Sequence, residues 1–97
     1  MKVKWSIRAR AKLQQIVNYI AADNPSAAIK YGNEIFTRTE KLLEFPNAGH
    51  VYQINGQNII RKIIIGKTKT IFYRATEDAI YILALHDNRQ LLKNQKK

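Results

Sequence analysis

The side chains of this sequence that could do chemistry are mostly cationic. Between Glu44 and Glu77 the basic residues Arg61, Lys62, Lys67, Lys69 and Arg74 follow one another without a single carboxylate, and His86 and Arg89 come soon after. Guanidinium groups bind phosphate or carboxylate in a bidentate fork. Arg61, Lys62, Arg74, His86 and Arg89 therefore form the candidate target-binding or anion-binding set, with Arg61 and Arg74 expected near His86 and Arg89 at the strand ends. Arg61 stands apart because it interrupts a run of isoleucines, where an unpaired charge is expensive. Lys67 and Lys69, in a hairpin loop, read as solvated surface.

The same inventory excludes much. Cysteine is absent, which removes disulfide scaffolds, thiolate zinc sites and cysteine nucleophiles. His50 and His86 are the only histidines, and neither has a second histidine at ligand spacing, so no metal is expected. There is no glycine-rich phosphate loop, and no cofactor is expected. Glu77-Asp78 reads as a turn. A metal-independent endoribonuclease needs only cations and a proton carrier, which Arg61, Arg74, His86 and Arg89 could supply around a scissile phosphate. The spacing by itself assigns no catalytic residue, and His86 at a strand end suits capping or packing.

The charge balance points to a partner. Lys and Arg exceed Asp and Glu to give a net charge of +10, and a small domain so basic repels itself unless an anion is near. A polyanion or an acidic protein is the first partner to consider. The basic N-terminus, residues 1–11, never becomes an apolar stretch of signal-peptide type. The longest apolar run is the seven residues from Ala79 to Leu85, against roughly 20 for a spanning helix. A cytoplasmic location without membrane contact is expected.

The elements that must position these residues fit one domain over residues 1–97. Lys2-Val3-Lys4-Trp5 alternates as a short strand with Val3 and Trp5 inward. Ser6 caps a helix with Ala9, Leu13, Ile16, Val17 and Ile20 on one face. After a short connection from Ala21 to Asn24, Asn24-Pro25 starts a second, longer helix striped by Ala28, Tyr31, Ile35, Phe36, Leu42 and Leu43. Phe45 to Gly49 stops it. Gln53 to Asn58 reads as a turn, followed by strands at Ile59–Ile65, Thr70–Arg74 and Ala79–His86. The expected fold is α+β: an N-terminal strand and an antiparallel helical hairpin packed on a small, mainly antiparallel sheet. Strict alternation puts Ile80, Ile82 and Ala84 on one face of the last strand and Tyr81, Leu83 and Leu85 on the other. Both faces are then apolar, and the hairpin covers one. Either the segment after His86 folds over the second face, or another chain lies there.

Taken together, these residues resemble the RelE/ParE superfamily of bacterial type II toxins, the ParE (plasmid stabilisation) branch above all. The resemblance spans nearly the whole chain. It rests on Val3-Lys4-Trp5-Ser6, Ala9 with Leu13, Ile16 and Tyr19-Ile20, Asn24-Pro25 with Ala27-Ala28, and Leu42-Leu43, Phe45-Pro46 and Gly49. It continues through Ile60-Arg61-Lys62-Ile63, Ile71-Phe72-Tyr73-Arg74 and Ile82-Leu83-Ala84-Leu85-His86 to Arg89. It implies a toxin that forms a hetero-oligomer with a cognate antitoxin, whose acidic or amphipathic C-terminal segment would cover the sheet. It implies one of two targets: DNA gyrase for ParE-like members, or ribosome-bound mRNA for RelE-like interferases. Some RelE-like nucleases carry a sheet Glu and a terminal His-Tyr pair; here the sheet lacks that Glu, and His86 precedes Asp87-Asn88-Arg89. The leading expectation is a ParE-like gyrase inhibitor that is not an enzyme; the others are an mRNA interferase and a non-toxic basic nucleic-acid-binding module.

Overall fold

The computed structural model describes residues 1–89. Strand β1 (Lys2–Trp5) leads into helix α1 (Ile7–Asp23), helix α2 (Pro25–Glu40) and a single 3-10 turn, Lys41–Leu43. Strands β2 (His50–Asn55), β3 (Asn58–Ile65), β4 (Lys69–Ala75) and β5 (Ala79–Asp87) follow. The sheet order is β1-β5-β4-β3-β2. β2 to β5 form an antiparallel meander, and β1 joins β5 in parallel. The expected α+β architecture, with its N-terminal strand and helical hairpin on a mainly antiparallel sheet, is what the chain adopts.

Local chemistry explains the helix boundaries. The Ala9 N–H donates to Ser6 Oγ at 3.0 Å, and that hydroxyl donates in turn to the Leu83 carbonyl. The Ser6 N–H donates to the Ile82 carbonyl. Ser6 thus caps α1 and ties its start to β5, satisfying groups that a helix end leaves free. Asn24 alone joins the helices, a tighter link than the expected Ala21-to-Asn24 connection. Its N–H bonds the Ile20 carbonyl to close α1, while its Oδ1 accepts from the Ala27 N–H to open α2.

The core lies between the helices and one sheet face. Ala9, Ile16, Tyr31, Ile35 and Leu42 meet Ile63, Ile65, Ile71, Tyr73, Ile80, Ile82 and Leu85, with Val3, Trp5 and Leu13 at the margin. Burying an aliphatic chain of this kind is worth about 1.5–3 kcal/mol relative to exposure.

Several expectations need correction. His50–Asn55 is a strand, and the turn after it is only Gly56-Gln57, with Gly56 at a φ of 64°. Every residue of β2 is exposed, so this edge strand carries no inside-outside alternation to reveal it. Phe36 is 63% exposed, not part of the buried stripe. Leu42 and Leu43 belong to the 3-10 turn, not to α2. In β5 the pairing shifts at Leu83, where Phe72 faces Ala84 and Tyr73 faces Ile82. A bulge inserts one residue and reverses the side-chain alternation beyond it. Ile80, Ile82 and Leu85 therefore all face the helices, which gathers the large aliphatics on that side and leaves Tyr81 and Ala84 on the other.

Candidate functional site

The sheet divides the predicted site residues between its faces. Arg61 pairs with the buried Tyr73 and lies on the helix side, whereas Lys62 pairs with Phe72 on the other. The Arg61 Nη1 donates to the Gly49 carbonyl at 3.0 Å and to the Asn47 carbonyl at 3.4 Å. Beside it, the Tyr73 hydroxyl donates to the Pro46 carbonyl at 2.8 Å and accepts from the Gly49 N–H at 2.9 Å. Burial pushes the Tyr73 phenol up, against the opposing pull of the Gly49 N–H and Arg61. A Cβ at Gly49 would lie 2.7 Å from the Lys62 carbonyl and from the Tyr73 ring, so only glycine permits this approach. Arg61 and Tyr73 clamp the loop that returns the chain from α2 to the sheet. The charge among the isoleucines has found its partners in carbonyl oxygens.

The open face is built differently. Along it Lys4 lies 5.9 Å from the Tyr81 ring, Arg74 lies 5.3 Å from the same ring, and Lys62 lies 5.7 Å from that of Tyr52. Tyr52 and Phe72 meet edge to face with centroids 4.8 Å apart. The Arg74 Nη1 also donates to Asn58 Oδ1 at 3.2 Å. Where β1 ends, α1 continues beside the second half of β5. Arg8, Lys12 and Gln15 then flank a trough of about 610 Å³ floored by Phe72, Ala84 and His86. Ile64, Tyr52 and Phe72 leave apolar surface between the cations, with Ile64 53% and Tyr52 55% exposed.

His86 and Arg74 share this face but not one locus. Thr70 pairs with His86 and Arg74 with Tyr81, so they stand four strand positions apart, roughly 13 Å at the usual rise. Arg89 turns elsewhere, to the helix side. Its backbone N–H donates to Asp87 Oδ1 at 2.9 Å, and its guanidinium lies 3.5 Å from Asp87 Oδ2. The expected gathering of Arg61, Arg74, His86 and Arg89 does not occur: Arg61 holds the loop, Arg89 holds Asp87, and Arg74 and His86 occupy opposite ends. The His86 Nε2 lies 3.0 Å from Asn88 Oδ1, and among the described residues no carboxylate bonds to it.

At this end of the sheet lies a polar cluster the sequence did not announce. The Tyr31 hydroxyl donates to Asp87 Oδ2 at 2.8 Å. Lys69 Nζ sits 3.1 Å from Glu34 and 5.2 Å from the centroid of the Tyr31 ring. Lys69 is buried, contrary to its reading as solvated surface, because its register opposite Asp87 turns it under the helices. Desolvation alone would raise the Asp87 carboxyl, but hydrogen bonds from Tyr31 and Arg89 and the Arg89 charge bring it below its ordinary value. Burial, with the Asp87 hydrogen bond and charge, pushes the Tyr31 phenol far up. The cluster borders a cavity of about 360 Å³ lined also by Ile16 and Ile20.

Among the described residues no three His, Cys, Asp or Glu side chains come together to hold a metal ion, and no helix is long and apolar enough to cross a membrane. What the geometry offers is a broad cationic and aromatic face rather than an acid–base pair. Sequence reasoning missed Lys4, Arg8, Lys12, Tyr52, Phe72 and Tyr81 as parts of that face. Alternation in Lys2–Trp5 already pointed Lys4 away from Val3 and Trp5, but only the sheet order brings it to Tyr81.

Comparison with known proteins agrees with this architecture. The chain is 28% identical over 90 residues to a protein of Sinorhizobium fredii named "Putative toxin Y4kP", covering 92% of this chain and 91% of that one. Its fold is similar to a solved chain of the chromosomal ParDE TA system from P. aeruginosa. That match has a TM-score of 0.73 and 22% identity, and covers 90% of this chain and 95% of the other. The model of the ParE toxin of the type II toxin–antitoxin system parDE matches residues 3–92. With nearly every element inside that match, from β1 through the capped hairpin to the end of β5, the chain belongs to the ParE toxin family.

Proposed function

We propose that this toxin inhibits DNA gyrase without catalysing a reaction, and that a cognate antitoxin holds it inactive in a hetero-oligomer within the cytoplasm. The observation that carries the first part is the dispersal of the candidate catalytic side chains. An mRNA interferase needs its cations and its proton carrier around one scissile phosphate. Here Arg61 is spent on backbone carbonyls, Arg89 on Asp87, and His86 stands about 13 Å along the strand from the level of Arg74. A protein that acts by binding needs no such convergence. The antitoxin is supported by the solved relative, whose description is of a toxin–antitoxin system. It is also supported by a net charge of +10, for which an acidic, partly hydrophobic segment is a fitting counterpart.

The test is a supercoiling assay with purified gyrase beside a translation assay with ribosomes. The chain is expected to suppress supercoiling and to leave ribosome-bound mRNA intact. Intact supercoiling together with cleaved mRNA would overturn the reading in favour of the interferase. Expression with an antitoxin encoded in an adjacent small reading frame is expected to yield a co-purifying complex and to relieve toxicity; failure of both would remove the antitoxin part.

A further inference from the structure

We infer that the open sheet face binds single-stranded nucleic acid directly, independently of which enzyme the toxin inhibits. The seven carboxylates of the chain are Asp23, Glu34, Glu40, Glu44, Glu77, Asp78 and Asp87. Five of them lie on the helical layer or buried beneath it, and Glu77-Asp78 form the turn between β4 and β5. None stands on the open face. Lys4, Lys62 and Arg74 rise from its strands, while Arg8 and Lys12 line it from α1. The face is therefore cationic without internal neutralisation, although the molecule as a whole carries both signs.

The aromatic rings decide the kind of anion. Lys4 and Arg74 bracket the Tyr81 ring, Lys62 stands by Tyr52, and Phe72 lies in the trough that Arg8 and Lys12 flank. Phe72 and Lys62 are directly opposed on adjacent strands, about 4.8 Å apart. Arg74 lies two positions along β4 from Phe72, about 7 Å. Each ring thus has a cation within one residue's reach, matching a polymer in which a flat base and a phosphate recur together. An unpaired base offers its π-face to such a surface, and every base has one. A duplex hides those faces in its stack, so its gain here would be electrostatic only. An acidic peptide would use the cations and leave the rings without flat partners.

The experiment uses the purified 97-residue chain and fluorescein-labelled oligothymidylate and oligouridylate of about twelve nucleotides, within the range of site sizes known for single-strand-binding folds. A duplex of equal length is the comparison. Anisotropy titrations across a salt series are expected to show both single strands bound at least tenfold more tightly than the duplex. The logarithm of affinity should fall with the logarithm of salt by about 0.7 per phosphate engaged. Lys12→Ala and Lys4→Ala should each reduce that slope by about 0.7. Tyr52→Ala and Phe72→Ala should each weaken binding about fivefold or more while leaving the slope unchanged. Melting curves identify any variant that fails to fold, and Tyr52, at 55% exposure, serves if Phe72→Ala does.

Equal affinity for duplex and single strand, with no effect of the aromatic substitutions, would reduce the face to unspecific electrostatics and overturn the inference. So would the absence of single-strand binding at low salt, or retention of an acidic peptide in place of the oligonucleotides. None of these outcomes depends on gyrase, so this inference and the proposed target fail separately.

Discussion

Arg61 and the Asp87 cluster show opposite ways of keeping charge inside a small fold. Among the described residues Arg61 has no carboxylate partner; it holds the loop through the Gly49 and Asn47 carbonyls. Arg61→Ala is expected to lower stability by about 1.5–3 kcal/mol, the range for hydrogen bonds to a charged group. Arg61→Lys should recover only part of this, because a compact, strongly hydrated ammonium on a flexible stem is not held in place as the planar guanidinium is. Denaturant unfolding of the three proteins is the measurement, and an unchanged midpoint for the alanine variant would remove the clamp. Asp87 instead depends on donors. Its carboxyl is held below its ordinary value, so the folded state binds fewer protons than the unfolded one in acid. That contribution is present above the unfolded pKa of about 4 and is lost as pH falls through the folded value. Tyr31→Phe removes the 2.8 Å donor, one of the groups that hold this carboxyl down against burial, so acid unfolding should begin at higher pH than in the parent. On the alkaline side the folded Tyr31 holds its proton while the unfolded one ionises near pH ~10. The parent should therefore lose stability above that pH by a route the variant lacks. Circular dichroism across both limbs would check both signs. In the sequence, Arg61 was legible as a charge in need of partners, but a backbone carbonyl leaves no residue-type signature to name them.

At the level of elements, the helical hairpin was the easiest part to read, because capping chemistry is local. Ser6 and Asn24-Pro25 lie within four residues of the groups they satisfy, and they start their helices where expected. Asn24 serves two helices at once. Asn24→Ala should therefore cost about 1 kcal/mol, lowering the melting temperature by about 4–8 °C for a domain near this size. A calorimetric shift within error of zero would mean that water replaces the cap at no cost. The strands were harder. β5 carries a bulge at Leu83, and the face of each residue beyond it depends on pairing with β4, many residues earlier. β2 is an edge strand exposed throughout, so its ladder bonds to β3 are what make it a strand. Neither feature leaves a period in the local sequence.

For the whole molecule, the excess of positive charge is segregated rather than neutralised. The described residues contain only the ion pairs Lys69–Glu34 and Arg89–Asp87. Self-repulsion should therefore outweigh pairwise attraction. Raising ionic strength from about 0.01 to 0.1 M shortens the screening length from about 30 to 10 Å. The isolated chain is expected to melt at a higher temperature in the saltier buffer, whereas a fall would show that attractive pairs dominate. An anionic partner should stabilise it as added salt does, by supplying the missing charge and acting on the folded state alone.

The sequence by itself determined the α+β class, the helix starts, the aliphatic core and the basic character, because each follows from composition or from contacts within a few residues. Tertiary structure decided the rest. Sheet order put β1 beside β5 and so brought Lys4 to Tyr81. Register sent Arg61 and Lys62, neighbours in the chain, to opposite faces and turned Lys69 under the helices. The bulge at Leu83 carried Leu85 and Asp87 inward and His86 outward. A site assembled across strands depends on pairings between distant residues, and pairing is a property of the folded sheet, not of any segment read alone.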